Sequence, residues 1–183
     1  MTKLIHHRVK LEQAQRFISA VHRHSEPLKR HMFTIGASEQ GVADINFLYD
    51  GIVSIDNPSS AWSKYDFVAE IRRLAVTEYA PKNTASFLLG KAKQACFALG
   101  YELIVTYTKG YESGSSLKAA GFSADKLTGK AFTDGSVETL VRWGCMRNSV
   151  PDMEQREQTD NLLREARDFL QKWDRPELRE RYE

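Results

Sequence analysis

Cysteine is scarce in this chain of 183 residues, and its two cysteines, Cys96 and Cys145, form no C-x-x-C pair. A disulfide framework or a cysteine-based metal site is therefore excluded as the organising feature, and both cysteines are expected in the core. No apolar run approaches membrane-spanning length, and the first ten residues lack the apolar centre of a signal peptide. We therefore expect a protein of the cytoplasm.

A strong excess of either charge is also lacking, because the formal net charge is +2. This value hides an asymmetry, since residues 151–183 hold ten acidic and seven basic side chains, a net charge of −3, and the first 150 residues carry +5. A mildly basic body suits nucleic acid and the phosphates of a cofactor equally well. Together with a boundary at Asn148, Ser149 and Pro151, the charges predict a domain over residues 1–150 and a tail over residues 151–183.

The tail has the pattern of an amphipathic helix. Its apolar stripe consists of Leu162, Leu163, Ala166, Phe169, Leu170 and Trp173. Such a stripe needs a cover, either the core of the same chain or a second protomer, so a homodimer through this helix is one alternative.

The stretch from Phe67 to Phe122 organises the rest of the chain. Its pattern predicts a strand over Phe67–Val76, a helix that begins at Asn83 or Thr84 and ends at Gly100, a strand over Glu102–Thr108 and a short helix over Ser115–Ala120. A long helix between two strands is a crossover unit, so the strands should be parallel. Because phosphate groups bind at helix starts, the loop Glu78–Asn83 is the first candidate ligand site.

The first third of the chain predicts a strand over Ile5–Val9 and a helix over Leu11–Val21. Three histidines follow close together: His22, His24 and His31. Neutral imidazole is both a proton acceptor and a metal ligand, so the cluster is a candidate general base or metal site. The alternative is a solvated basic loop that follows the helix.

Two further segments precede the central stretch. Phe33–Ala37 and Val42–Tyr49 predict a hairpin, whereas the turn-rich segment Asp50–Lys64 predicts a loop or flap on the substrate side. Within that segment, Trp62 either stacks on a ligand or pins the loop to the core.

Charged and hydroxyl side chains mark the two central strands. Glu70 and Arg73 are three residues apart, so strand alternation places them on opposite faces, as a base and an anion-binding group or as an edge-strand charge pattern. Tyr107 and Tyr111 follow the next strand, where a tyrosine can donate a proton to a departing thiolate. Ser113 either contacts a ligand or caps the short helix.

This order of elements, closing on the motif SSLKAAGF, resembles the core of the GNAT acyltransferase superfamily. The chain is more closely similar to a phage-borne group of small GNAT-like proteins, and more distantly to the phage Mom family, which modifies adenine in DNA. The resemblance covers roughly residues 3–132. Besides AAGF it depends on the motifs TYT, ESG and SL and on the residues His22, His24, Pro27, His31, Phe33, Glu70, Arg73, Leu74, Asn83 and Ser86.

The resemblance implies a mixed α/β sheet of about six or seven strands with flanking helices, and an acyl-type transferase that uses acetyl-CoA or another acyl-CoA. The implied cofactor-binding residues are Leu74, Val76, Lys82, Asn83, Thr84, Ser86 and Ser113. The implied catalytic residues are His22, His24, Glu70, Arg73, Tyr107 and Tyr111, with His22 and His24 as alternative metal ligands. The implied substrate-binding residues are His31, Trp62 and Glu112.

The resemblance also leads to a specific expectation for the acceptor, which is adenine in double-stranded DNA, modified by a phage protein in the host cytoplasm. The alternatives are acetylation of a small molecule or protein, and a non-catalytic phage interaction protein on the same fold. One departure matters: GNAT enzymes have a glycine-containing turn before the long helix, and this chain has residues 80–85, APKNTA, in its place. Asn83 tolerates a left-handed conformation at some cost, and Lys82 adds charge.

Overall fold

The computed structural model describes residues 3–21, 28–39, 49–58, 62–131 and 137–173. Within them the chain forms four helices and one seven-stranded sheet, which confirms the predicted mixed α/β class. In chain order the elements are β1 (Leu4–Val9), α1 (Leu11–Val21), β2 (Phe33–Glu39), β3 (Gly51–Asp56), β4 (Val68–Val76), α2 (Thr84–Ala98), β5 (Leu103–Lys109), α3 (Ser115–Ala119), β6 (Ser123–Ala131), β7 (Val137–Met146) and α4 (Met153–Trp173).

The strand order is β1-β2-β3-β4-β5-β7-β6. Strands β1 to β4 pair antiparallel, as do β6 and β7. Strands β4 and β5 pair parallel, as the crossover through α2 predicted. The described chain forms two compact units, residues 1–105 and residues 106–183, and β5 contributes residues to both.

The segment predicted as a substrate-side loop, Asp50–Lys64, contains an interior strand instead. Every residue of β3 is buried, and β3 pairs with β2 on one side and β4 on the other. The turn-forming residues at both ends of the segment led to the prediction of a loop, although the run IVSI between them has the β-branched residues typical of a strand. The predicted second strand of the hairpin, Val42–Tyr49, lies outside the described residues except for Tyr49.

The first unit packs one helix on each face of its sheet. Ala14, Phe17 and Ile18 of α1 join Ile52 in one buried cluster, as the helical stripe predicted. A Cβ built on the neighbouring Gly51 would meet Leu88 of α2 at 3.0 Å, so consecutive residues of β3 face opposite helices. This alternation gives the sheet an α1 face and an α2 face.

In the second unit, helix α4 packs on β6 and β7. Leu163 and Ala166 of its predicted stripe are buried, and Thr159 Oγ1 accepts a hydrogen bond of 2.9 Å from Ala124 N on β6. Part of the stripe is therefore covered by the chain itself. The proposed division at residue 150 stays a prediction.

Among the helices of the described ranges, none combines the length and the apolar character needed to cross a bilayer.

Candidate active site

Strand β4 contains a β-bulge, which changes the orientation of its charged residues. Ser54 pairs with Arg73 and Ile55 pairs with Ile71, so the register with β3 shifts by one residue at Arg72. Ser54 and Asp56 lie on the same face of β3, and their partner positions are Arg73 and Glu70. The prediction that Glu70 and Arg73 point to opposite faces is therefore wrong, because simple alternation does not include the bulge.

The α1 face of this sheet changes from apolar to polar along the strands. Thr34, Ser54, Asp56 and Glu70 are all buried, with exposed fractions between 0% and 6%. The register places Thr34 beside Ser54 and Asp56 beside Glu70. We call these four residues and His31, which contacts Thr34, the polar cluster.

His31 is joined to the strands through two hydroxyl groups. Its Nδ1 lies 2.6 Å from Thr34 Oγ1, and Thr34 Oγ1 forms a hydrogen bond of 3.1 Å with Ser54 Oγ. Burial lowers the pKa of His31, and the negative charge of Asp56 opposes this shift more weakly. The imidazole is therefore neutral over a wider pH range than that of a solvated histidine.

Both carboxylates of the polar cluster are paired with guanidinium groups. Arg30 Nε lies 3.1 Å from Asp56 Oδ2, and Arg72 Nη1 lies 3.1 Å from Glu70 Oε1. The Arg30 side chain is 70% exposed, so solvent screens its charge. The alternative of an edge-strand charge pattern is wrong for Glu70, which pairs with Asp56 of β3 and with Val105 of β5. Arg73 donates from Nη1 to its neighbour's carbonyl, Arg72 O, at 2.8 Å.

The second part of the site is the loop from β4 to α2. Asn83 is the N-cap of α2 and has a left-handed backbone, with φ 69° and ψ 7°. Glycine adopts this conformation most readily, so Asn83 replaces glycine at the point where the loop enters the helix. Asn83 therefore adopts the left-handed conformation that the sequence analysis expected asparagine to tolerate.

The start of α2 leaves backbone donors open. The side-chain cap predicted for Asn83 or Thr84 is absent, because the Thr84 hydroxyl donates to Pro81 O at 2.7 Å and Asn83 makes no capping bond. The N–H groups of Ala85 and Ser86 have no acceptor among the described residues. Lys82 is exposed in the same loop. These groups form a positive helix start that suits an anion.

The carboxyl end of β4 leads into this loop. Its ladder with β5 has three pairs, of which the last joins Glu70 and Val105. Beyond that pair, Leu74 and Val76 keep register partners on β3 but have none on another strand among the described residues. An amide-containing ligand can add to this strand edge as another strand would.

Trp62 belongs to an aromatic row outside the polar cluster. Its ring centroid lies 5.8 Å from that of Tyr65, which lies 5.3 Å from that of Phe67. Lys64 Nζ lies 5.0 Å from the centre of the Tyr65 ring. The row ends at Phe67, which is 43% exposed, so both the pinning of the loop to the core and the substrate contact of Trp62 stay predictions.

The remaining predicted residues lie in the second unit. Tyr107 is partly buried on β5, and Tyr111 is 63% exposed just after it, with Lys109 Nζ 5.9 Å from its ring centre. The pKa of Lys109 is raised, mainly by its hydrogen bond to Glu138 and less by Tyr111.

Glu112 and Ser113 form the turn that follows β5. Glu112 Oε2 accepts from Lys109 N at 2.6 Å, which closes the turn, and Ser113 Oγ lies 3.4 Å from Ser115 N at the start of α3. Both polar groups therefore have a local structural partner. The glycine of the ESG motif, Gly114, has a left-handed φ of 61°, and a Cβ there would lie 2.2 Å from the buried Trp143 ring.

Two of the predicted catalytic residues, His22 and His24, lie outside the described residues. Their role as a base or as metal ligands stays a prediction. In the part of the chain that the structure describes, no three His, Cys, Asp or Glu side chains come together as a metal site. Cys96 is buried, which raises the pKa of its thiol to about 12, so it is a core residue as predicted.

Sequence reasoning missed three members of the polar cluster: Thr34, Ser54 and Asp56. The signal was present, since Ser54 and Asp56 alternate with Val53 and Ile55. Polar residues in an otherwise β-branched run indicate a strand that carries polar groups into the interior. The segment was nevertheless predicted as a loop because turn-forming residues flank this run.

The fold described above occurs in known acetyltransferases. A candidate phosphinothricin N-acetyltransferase aligns over 80% of this chain and 100% of its own, with a TM-score of 0.60 and 20% identity. An N-acetyltransferase of Staphylococcus aureus aligns over 79% and 99%, with a TM-score of 0.59 and 13% identity. A Bacillus subtilis acetyltransferase solved in complex with CoA aligns over 80% and 99%, with a TM-score of 0.55 and 13% identity.

No protein-family profile and no curated protein sequence matches the chain. The likeness is thus one of structure at low sequence identity, and it establishes the fold. The chain has the GNAT N-acetyltransferase fold.

Proposed function

We propose that the protein is an acyl-CoA-dependent N-acyltransferase that acts on an amine. The observation that carries this proposal is the helix start of α2, where Asn83 adopts the left-handed conformation and the N–H groups of Ala85 and Ser86 are open. A fold shared with acetyltransferases gives this anion site its functional context, and one of those proteins was solved with CoA.

The residues of the loop fit the phosphate end of a CoA-type cofactor. The two open N–H groups and the positive end of the helix would hold phosphate oxygens, and Lys82 would add a charge. The edge of β4 at Leu74 and Val76 would hold the amide-containing arm. When bound, an acyl-CoA supplies an activated acyl group as a thioester.

The polar cluster supplies the acid–base groups. An amine must lose a proton before its nitrogen attacks a carbonyl, so a base within hydrogen-bond reach is required. His31 and Glu70 are the described candidates. Glu70 is already paired with Arg72, whereas the neutral imidazole of His31 is a proton acceptor at physiological pH. Tyr107 or Tyr111 as the proton donor to the leaving thiolate stays a prediction.

The function is tested by calorimetry and by acyl transfer. Acetyl-CoA is titrated into the protein and into the Lys82→Ala variant, and a weaker affinity in the variant is expected because one charged phosphate partner is lost. Lys93→Ala, a change on the same helix away from its start, is the matched control. If acetyl-CoA fails to bind, the proposed function is wrong.

A narrower form of the proposal names adenine in double-stranded DNA as the acceptor. It depends on the resemblance to the phage families, and the base would have to leave the duplex to be modified. Mass analysis of nucleosides from cells that express the protein tests it. Unmodified adenosine beside an active preparation would leave a small molecule or a protein as the acceptor.

The remaining expectations stay predictions of the same kind. They are a phage origin, a homodimer through α4, and the non-catalytic alternative in which the fold serves only interaction. The binding experiment with acetyl-CoA separates that alternative from an enzyme, since a ligand that binds only the native state also raises the melting temperature.

A further inference from the structure

The guanidinium of Arg30 is held through only one of its nitrogens. Its Nε lies 3.1 Å from Asp56 Oδ2, and its two terminal nitrogens form no hydrogen bond within the described residues. Arg142 provides the contrast, because its Nε and Nη2 each lie 2.8 Å from the carboxylate of Asp125, which occupies one whole edge of that guanidinium. A guanidinium has five N–H donors. The terminal nitrogens of Arg30 can therefore donate to a further partner.

The ion pair of Arg30 joins an exposed guanidinium to a buried carboxylate. The side chain of Asp56 is 6% exposed, whereas that of Arg30 is 70% exposed. Asp56 Oδ1 also accepts a hydrogen bond of 2.9 Å from Asn57 N, so both carboxylate oxygens are bound and the group is fixed. A guanidinium tethered to a fixed carboxylate loses less conformational freedom when it binds a ligand. Arg30 is thus a preorganised cation that a ligand can reach from solvent.

Asp56 also connects Arg30 with the candidate base. The negative charge of Asp56 acts on the imidazole of His31, the next residue in sequence, where it opposes the lowering of the pKa by burial. The register partner of Asp56 is Glu70, which pairs with Arg72. Carboxylates and guanidinium groups therefore lie together around a neutral imidazole. A ligand with one charge of each sign matches such a site better than one that carries only a positive charge.

We propose that Arg30 is a specificity-determining residue that binds the carboxylate of the acceptor, and that the acceptor is a free amino acid. This inference rests on the proposed N-acyltransferase function, and among the acceptors considered there it selects a small molecule. An amino acid has an ammonium group and a carboxylate a few bonds apart. The planar fork of the guanidinium binds a carboxylate through two parallel hydrogen bonds. The ammonium group then lies beside the negative charge of Asp56 and close to His31, the candidate base.

The inference is tested by comparing amino acids with matched compounds that lack the negative charge. The protein amino acids and their carboxamides are assayed as acceptors with acetyl-CoA, and kcat/KM is measured for each pair. We expect an amino acid to be preferred over its own carboxamide by about tenfold or more, the usual effect of a charge-assisted hydrogen bond. No preference in the unmodified protein would overturn the inference.

Substitution of Arg30 shows whether this residue causes the preference. Arg30→Gln should abolish it, and the ratio between an amino acid and its carboxamide isolates the carboxylate contact because differences in amine reactivity cancel between the variants. Arg30→Lys keeps the charge without the fork, so it should retain part of the preference. Lys29→Gln removes an exposed positive charge at the neighbouring position and should leave the preference intact. An unchanged preference in Arg30→Gln would refute the assignment.

Binding separates this inference from the proposed function. The same amino acids are tested by saturation-transfer NMR with the unmodified protein, Arg30→Gln and Lys29→Gln, each with and without CoA, and melting temperatures check that the variants are folded. Amino-acid binding that is lost only in Arg30→Gln supports the carboxylate site even if acetyl-CoA does not bind and the proposed function fails. Acylation of other amines, peptides or DNA with no amino acid bound or acylated would overturn the inference while the proposed function stands. Absence of amino-acid binding and acylation in every protein would overturn it as well.

Discussion

The left-handed backbone of Asn83 makes the helix start of α2 testable apart from any catalytic measurement. A β-branched residue is strained in this conformation, so Asn83→Val should lower the free energy of unfolding by about 1–2 kcal/mol. For a chain of this size that corresponds to a melting temperature lower by about 2–4 °C for each kcal/mol. Asn83→Gly should be near neutral, because glycine adopts the conformation without strain.

Asn148 provides the matched control, since it is the other described non-glycine residue with a positive φ, at 58°, and it is exposed. Asn148→Val should cost about the same 1–2 kcal/mol in backbone strain. It should leave affinity for acetyl-CoA unchanged.

The two valine variants should therefore agree in stability and differ in binding. In Asn83→Val, relief of strain moves the backbone and displaces the N–H groups of Ala85 and Ser86. Loss of even one charge-assisted hydrogen bond, about 1.5 kcal/mol, weakens binding of acetyl-CoA by about tenfold in calorimetry. Equal affinities in Asn83→Val and Asn148→Val would refute the assignment of the α2 start as the phosphate site.

Three further predictions concern stability. Stability should fall as pH drops below about 6.5, because the unfolded chain protonates His31 before the folded state does, and a urea titration of His31→Gln should show a flatter pH dependence. Gly114→Ala should cost about 2–5 kcal/mol, since its Cβ would meet a buried indole, whereas Gly100→Ala, with open space around a Cβ, should cost about 1–2. Equal losses would show that the indole ring yields. Leu163→Ala should cost about 2–5 kcal/mol if α4 is an integral part of its unit, and a loss below 0.5 would contradict that role.

The elements with strong periodicity were predictable from sequence. Helix α1 was predicted with its observed limits, Leu11–Val21, because its apolar residues recur at helical spacing. The parallel pairing of β4 and β5 followed from the crossover length. In each case a pattern that can be read along the chain was enough: the spacing of apolar residues for α1, and the length of the helix between two strands for the parallel pairing.

The candidate site was predictable only in part, for two physical reasons. Short strands between turn residues look like loops, which is how β3 and its Ser54 and Asp56 were missed. A bulge depends on the partner strand and not on local composition, so the shared face of Glu70 and Arg73 could not be read from alternation. The hydrogen bond between Thr34 and Ser54 likewise depends on the pairing of β2 with β3.

The central claim is that this fold transfers an acyl group from CoA to an amine. Isotopically labelled acetyl-CoA incubated with a panel of primary amines, peptides and adenine-containing duplex DNA, followed by mass spectrometry, tests it most directly. The account predicts label on a nitrogen of one acceptor, with one equivalent of CoA released for each acyl group transferred, and a rate about a hundredfold to ten-thousandfold lower in His31→Gln. No bound acetyl-CoA and no labelled acceptor would contradict it.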